Sequence, residues 1–156
     1  MSPGHKIPRS VLVVIYTADL QVLMLERAGW PGFWQSVTGS IEDELDQGDL
    51  RLTARREVRE ETGIDARPET LIDWRLSNRF EIFREWRSRY PEGVSHNVEH
   101  VYSLCVPRET EITLAPDEHL AHLWLPWRAA ADKVFSWSNR DAILMLPLLQ
   151  GEPSCA

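Results

Sequence analysis

Residues 10–16, Ser-Val-Leu-Val-Val-Ile-Tyr, form a continuous apolar run without polar alternation. A short run of this kind predicts a strand buried on both faces. After the polar break Thr17-Ala18-Asp19, residues 22–27 predict its hairpin partner. Gly29, Pro31 and Gly32 mark a loop. Residues 33–38 predict a short strand leading into Gly39, where the chain can turn without a Cβ penalty. The acidic stretch 41–49 predicts a loop, and Asp49 a cap for a helix over 50–62 that Gly63 stops. Residues 71–83 predict an amphipathic extended segment with a bulge, since its alternation is imperfect. A basic stretch, 84–89, and a turn at 90–93 follow. Strands are predicted at 100–106, 111–114 and 123–125, with a loop or single helical turn at 116–119. Pro126 is placed at the first position of a short helix. A capping-box pattern from Ser138 predicts a last helix over 140–146, which Pro147 ends. The order β-β-β-α-β-β-β-α predicts an α/β domain, a mixed sheet with helices on both faces, spanning 1–156 as one unit.

The helix over 50–62 carries an anomaly. At about 100° per residue, Glu57, Glu60 and Glu61 fall within one arc of roughly 100°. Leu50, Ala54 and Val58 project to roughly 0°, 40° and 80°, and Glu57 and Glu61 to roughly −20° and 20°. Arg51, Arg55 and Arg59 take the neighbouring flank. A solvated acidic face should oppose the apolar stripe. These acids overlap it instead, and glutamates four residues apart repel one another unless something binds between them. A hard divalent cation, which takes carboxylate and phosphate oxygens together, removes the conflict.

Composition narrows the chemistry. With 43% hydrophobic and 26% charged residues, the chain reads as a soluble globular protein. A net charge of −7 argues against a sequence-independent nucleic-acid partner but allows a metal-assisted phosphate site. No apolar run reaches the length of a membrane span, and the N-terminus lacks a leader's apolar core. Cys105 and Cys155 do not make a disulfide framework, and reduced thiols in a cytoplasmic protein are expected. His119 and His122, three apart, lack the cysteine pair or helical H-E-x-x-H that zinc would need.

Gly39 followed by Arg56-Glu57-Val58-Arg59-Glu60-Glu61-Thr62-Gly63-Ile64 resembles the Nudix box, G-x5-E-x7-R-E-U-x-E-E-x-G-U with U bulky and aliphatic. The second half matches at every specified position. The first half departs: sixteen residues separate Gly39 from Arg56 where the pattern has thirteen. The position of the first box glutamate is Leu45 counted forwards and Gly48 counted backwards. Glu44 and Asp49 are the neighbouring acids that could stand in. Beyond the box, residues 33–40, 80–83, 89–90, 118–121 and 136–140 resemble the Nudix branch acting on dihydroneopterin triphosphate, and the likeness runs from about residue 6 to residue 143.

The resemblance implies a Nudix fold, an α/β/α sandwich, with Mg²⁺ (or Mn²⁺) held by Glu57, Glu61 and Glu118. It implies catalytic roles for Glu57, Glu60 and Glu61, with Arg56 orienting a box glutamate. Substrate contacts carry over to Lys6, Arg27, Thr38, Phe80, Glu81, Ile82, Phe83, His119 and Ser136. Arg84, Arg87 and Arg89 are either a solvated face or phosphate contacts, and Trp34, Phe80, Phe83 and Trp137 offer stacking surfaces. The implied reaction is hydrolysis of 7,8-dihydroneopterin 3′-triphosphate to the monophosphate and pyrophosphate. Two rivals stand beside it: hydrolysis of nucleoside triphosphates such as dATP or 8-oxo-dGTP, and a non-catalytic binding module. The expected partner is a small pterin or nucleoside triphosphate, with no membrane, and the chain is expected to be a monomer or weak homodimer.

Overall fold

In the computed structural model, which describes residues 5–149 and 155, the sheet is built outward from β1 (Arg9–Tyr16). Residues 11 to 15 of β1 are each no more than 1% exposed. Both faces of the strand are covered, so its apolar positions run on without alternation. β1 pairs in parallel with β6 (His96–Cys105), from Arg9 opposite Val98 to Tyr16 opposite Cys105. Its other edge is divided between two strands. β4 (Val37–Ser40) takes residues 10–13, and β2 (Gln21–Arg27) meets β1 only where Tyr16 faces Val22. The predicted hairpin therefore closes only at its neck. β2 continues beside β3 (Trp34–Gln35) and β7 (His119–Pro126), while β5 (Ile72–Glu81) pairs with β6 at the far edge.

The strand expected over 33–38 splits at Ser36, where the chain leaves β2 for β1. The Ser36 amide spans the break by donating to Asn139 Oδ1 at 2.8 Å, and Asn139 Nδ2 donates back to Ser36 Oγ at 2.9 Å. The bulge expected in β5 lies between Asp73 and Ser77, with Arg75 at φ 53°.

The helices cover both faces, as expected. α2 (Leu50–Thr62) lays Ala54 and Val58 over Val11, Val13 and Ile15. α3 (Trp127–Lys133) and α4 (Trp137–Met145) cover Leu12, Val14 and Met24 on the opposite face. α2 has the predicted termini. The Asp49 side chain accepts from Arg51 N, a cap of about 1 kcal/mol, and Gly63 turns the chain at φ 78°.

Several boundaries differ from expectation. Residues 41–49 contain a single helical turn, α1 (Asp43–Asp46), instead of a plain loop. Residues 111–114 form no strand. Ile112 and Leu114 pack on the α2-side core and Thr113 N donates to Thr62 O, so apolar burial without a ladder produced the strand-like pattern. The last helix starts at Trp137 with Ser136 as its cap, not in the stretch from Ser138. Pro126 is the cap residue of α3 and not its first helical residue. The expected reduced cysteines are overturned: Cys105, at the end of β6, forms a disulfide with Cys155. Their 50-residue separation left no signal, and Cys155 reaches Cys105 by packing on the core beneath α4. No helix among the described residues is long and apolar enough to cross a membrane. Residues 1–4, part of the N-terminal stretch read for a leader, lie outside the described residues.

Candidate active site

The helical projection is realised in α2. Glu57 and Glu61 are buried with Ala54 and Val58, whereas the Glu60 side chain remains 47% exposed. The neighbouring strand allows Glu57 to approach because Gly39 has no side chain. A Cβ at Gly39 would overlap the Glu57 carboxyl group. The glycine is needed there for close approach.

Arg56 ties the acids to the preceding loop. Its Nε and one terminal nitrogen form a bidentate pair with Asp46, both contacts 2.9 Å. That second nitrogen also donates to Ser40 O at 3.1 Å, and the other reaches Glu57 Oε1 at 2.8 Å and Glu60 at 3.3 Å. Asp46 is 1% exposed and also accepts from the Glu42 amide and the Thr53 hydroxyl. Although burial pulls its pKa upward, the Arg56 hydrogen bonds hold it below the ordinary carboxylate value. Asp46 thus occupies the place that motif counting assigned to Leu45 or Gly48. Leu45 is 59% exposed, and neither Glu44 nor Asp49 fills that place. The extra loop residues allow α1 to form, and its one turn carries Asp46 to the guanidinium. Five acids lie in that loop, so charge pattern alone had no means of selecting this one.

Burial raises Glu57 to about 6 and Glu61 well above the ordinary carboxylate range, with Glu57 and Glu118 adding to the rise at Glu61. Glu61 Oε1 is buried without a hydrogen-bond partner and lies 3.6 Å from His119 Nε2. Burial, with Arg27 nearby, pushes the His119 pKa down to about 4, leaving the ring neutral at pH 7 and the pair uncharged on that side. A buried pair of acids with an orphaned oxygen suits a hard divalent cation. Glu118 stands exposed on the rim, close enough to act electrostatically on Glu61. Glu57, Glu61 and Glu118 do not make a ready trio: no group of three His, Cys, Asp or Glu poised to hold a metal occurs among the described residues. His119 and His122 lie on one strand opposite Arg27 and Leu25, with a bulge between them, and no metal-holding group that includes them occurs among the described residues.

A cleft of about 830 Å³ leads away from Glu61. Lys6, Arg27 and Arg89 line it near the acids, with Thr38, Glu118 and His119. Phe80, Glu81, Ile82, Phe83 and Ser136 line it further along. Within this group Ile82 is 3% exposed and forms wall, and Glu81 is turned to an ion pair with Arg87. Ser136 accepts from Asn139 N as the cap of α4. Trp137 and Phe80 border the cleft, but Trp34 packs into the core beneath α3 and α4 instead.

The aromatic wall is larger than sequence reasoning supplied. Phe83 stacks at 4.9 Å from Trp86, which meets Trp30 at 5.7 Å and Phe135 at 6.0 Å; Arg27 lies 4.6 Å over Trp86. Sequence reasoning also missed Asn97, Glu99 and Ser138, which line the cleft's buried floor. Glu99 carried no signal of its own, since His96, Asn97 and His100 make the start of β6 polar in sequence.

This acid-bearing helix, glycine approach and mixed sheet define a class. The chain belongs to the Nudix family, whose NUDIX domain model matches residues 6–146. Among its relatives, the dihydroneopterin triphosphate diphosphatase of Escherichia coli (strain K12) is 48% identical over 143 residues, covering 89% of this chain and 91% of that protein. The enzyme of that name from Haemophilus influenzae is 39% identical over 142 residues, covering 89% and 87%. The solved structure of the E. coli dihydroneopterin triphosphate pyrophosphohydrolase superposes with a TM-score of 0.84 at 46% identity, covering 93% of this chain and 98% of that one.

Proposed function

We propose that this protein is a divalent-metal-dependent pyrophosphohydrolase that converts 7,8-dihydroneopterin 3′-triphosphate to the monophosphate and pyrophosphate. The observation that carries the reading is a single cleft with two chemistries. Its buried acids and the cations beside them suit a metal-bound triphosphate, and its aromatic wall suits a flat heterocycle. The names and close similarity of the relatives support the same substrate.

In this reading Glu57 and Glu61 would hold the ion, Mg²⁺ first and Mn²⁺ as a substitute, with Glu118 as the third carboxylate. The bound ion would supply charge stabilisation at the phosphoryl oxygens and a water of lowered pKa. Lys6, Arg27 and Arg89 bind the triphosphate, Arg27 offering the planar fork suited to phosphate. Arg56 keeps Glu57 oriented, and Glu60 acts through Arg56 from the exposed side. Thr38 and neutral His119 position the substrate beside Glu61. Phe80 and Phe83 face the ring, while Glu81, Ile82 and Ser136 shape the walls that hold it.

The test is a substrate panel, dihydroneopterin triphosphate against dATP, dGTP and 8-oxo-dGTP, with Mg²⁺ and with chelator. The pterin should lead in kcat/KM by about tenfold or more, with pyrophosphate released only when the ion is present. A nucleotide leading by that margin, or binding without turnover, overturns the proposal.

A further inference from the structure

The cleft floor holds a carboxylate that the hydrolytic reading does not use. Asn97 and Glu99 are two residues apart on β6 and share the face covered by α4. They are 4% and 5% exposed, and both line the cleft. The Ser138 hydroxyl donates to Glu99 Oε1 at 2.8 Å. Burial raises the Glu99 pKa to about 7, with that hydroxyl opposing the rise and no cation contributing. Asn97 Nδ2 donates to Ser10 Oγ at 2.7 Å, leaving its buried Oδ1 without a partner.

A carboxylate with one hydroxyl partner and an orphaned amide oxygen are costly to bury side by side. Their common requirement is N–H donors. The protein supplies no cation to the floor: Arg140, on α4 and lining the cleft, pairs with Asp141 and does not act on Glu99. A planar edge carrying two parallel N–H groups fits, because a carboxylate accepts such a pair in fork geometry. The 2-amino and N3–H groups of a 2-amino-4-oxo-pyrimidine present that edge, whereas adenine does not. We propose that Glu99, with Asn97 Oδ1 beside it, is the specificity-determining site that reads the 2-amino/N3–H edge of the substrate's ring. The assignment rests on the proposed pterin triphosphate reading and names the part of the protein that recognises the ring.

Two measurements test it. Wild type and Glu99→Gln, whose fold is checked by circular dichroism and melting, are assayed on dihydroneopterin triphosphate and on ATP. The ratio of kcat/KM for the pterin over ATP should fall about a hundredfold in Glu99→Gln, mostly through the pterin's KM, because an amide N–H would face a donor. A merely structural bond between α4 and β6 would lower stability and leave that ratio alone. The second measurement needs no variant and decides the matter if Glu99→Gln does not fold. Wild type is inhibited with 7,8-dihydroneopterin and with its analogue bearing an oxo group in place of the 2-amino group. The 2-amino compound should compete about tenfold or more better. Equal inhibition by the two, or an unaltered selectivity ratio in folded Glu99→Gln, overturns the inference. Failure of wild type to hydrolyse the pterin triphosphate removes the proposed function instead, and the inhibition pair still reports on the edge.

Discussion

At one end of the cleft Glu57 and Glu61 are buried against each other beneath Arg56; at the other Glu99 is buried with a serine hydroxyl and no cation. All three carboxylates have raised pKa values, and burial is the first cause each time. What surrounds them differs. Around Glu61 neighbouring acids add to the rise, so positive charge relieves the strain, and Lys6, Arg27 and Arg89 line that part of the cleft. Around Glu99 no other charge contributes, so neutral donors are the complementary ligand. A raised carboxylate pKa therefore marks a binding demand, and the cause of the rise identifies what is demanded.

The contrast can be broken at either end. The largest effect is expected at the acid pair: Glu61→Gln should leave the fold intact and lower kcat about a hundredfold or more, some 3 kcal/mol in barrier. Near-wild-type turnover in the folded, Mg²⁺-saturated variant would remove Glu61 from the chemistry. Asp46→Ala comes next. It takes the bidentate partner from Arg56, and kcat should fall about tenfold as Glu57 loses its orientation. Stability should drop with it by on the order of 2 kcal/mol, read from urea unfolding. Loss of stability without loss of kcat would separate the Asp46–Arg56 pair from catalysis.

At the other end the expected signature is in pH. The folded Glu99 pKa of about 7 lies above the ordinary 4.5, so the folded state holds that proton to higher pH than the unfolded chain. Stability from this group is fully present below 4.5 and declines as pH rises towards and through 7. The melting temperature of Glu99→Gln relative to wild type should therefore be several degrees higher at pH 8 than at pH 5. A pH-independent difference would show that Glu99 ionises freely. The smallest effect is expected at Leu45→Glu, which restores a glutamate where forward counting of the motif expects one. With Leu45 exposed and Asp46 already holding Arg56, kcat should stay within about twofold. A gain beyond that would return the motif position to importance.

The acid pair was legible because its determinants are local. Glu57, Glu61, Ala54 and Val58 lie within two helical turns, and the 3.6-residue period decides which of them share a face. The same holds for Asp49 and Gly63, whose roles depend on neighbours one turn away. The mixed sheet covered on both faces was legible from the unbroken apolar run of β1. Legibility failed where partners are distant or several candidates are alike. Residues 111–114 have a strand's composition but bury it without a ladder. Trp34, read as a stacking surface, faces the core, while Trp86 and Phe135 complete the cleft wall.

By itself, then, the amino-acid order determined the acid-bearing helix and its caps, because periodicity and backbone preference act over a few residues; Gly39, read as a turn, lies inside β4 and is needed there for the approach of Glu57. Tertiary structure decided which loop acid anchors Arg56, since a single turn of helix had to carry Asp46 there. It also assembled the cleft floor, where Glu99 and Ser138 meet across 39 residues and Ser36 and Asn139 across 103. Such contacts depend on how β6, α4 and the β3–β4 break dock together, and no local pattern encodes that distance.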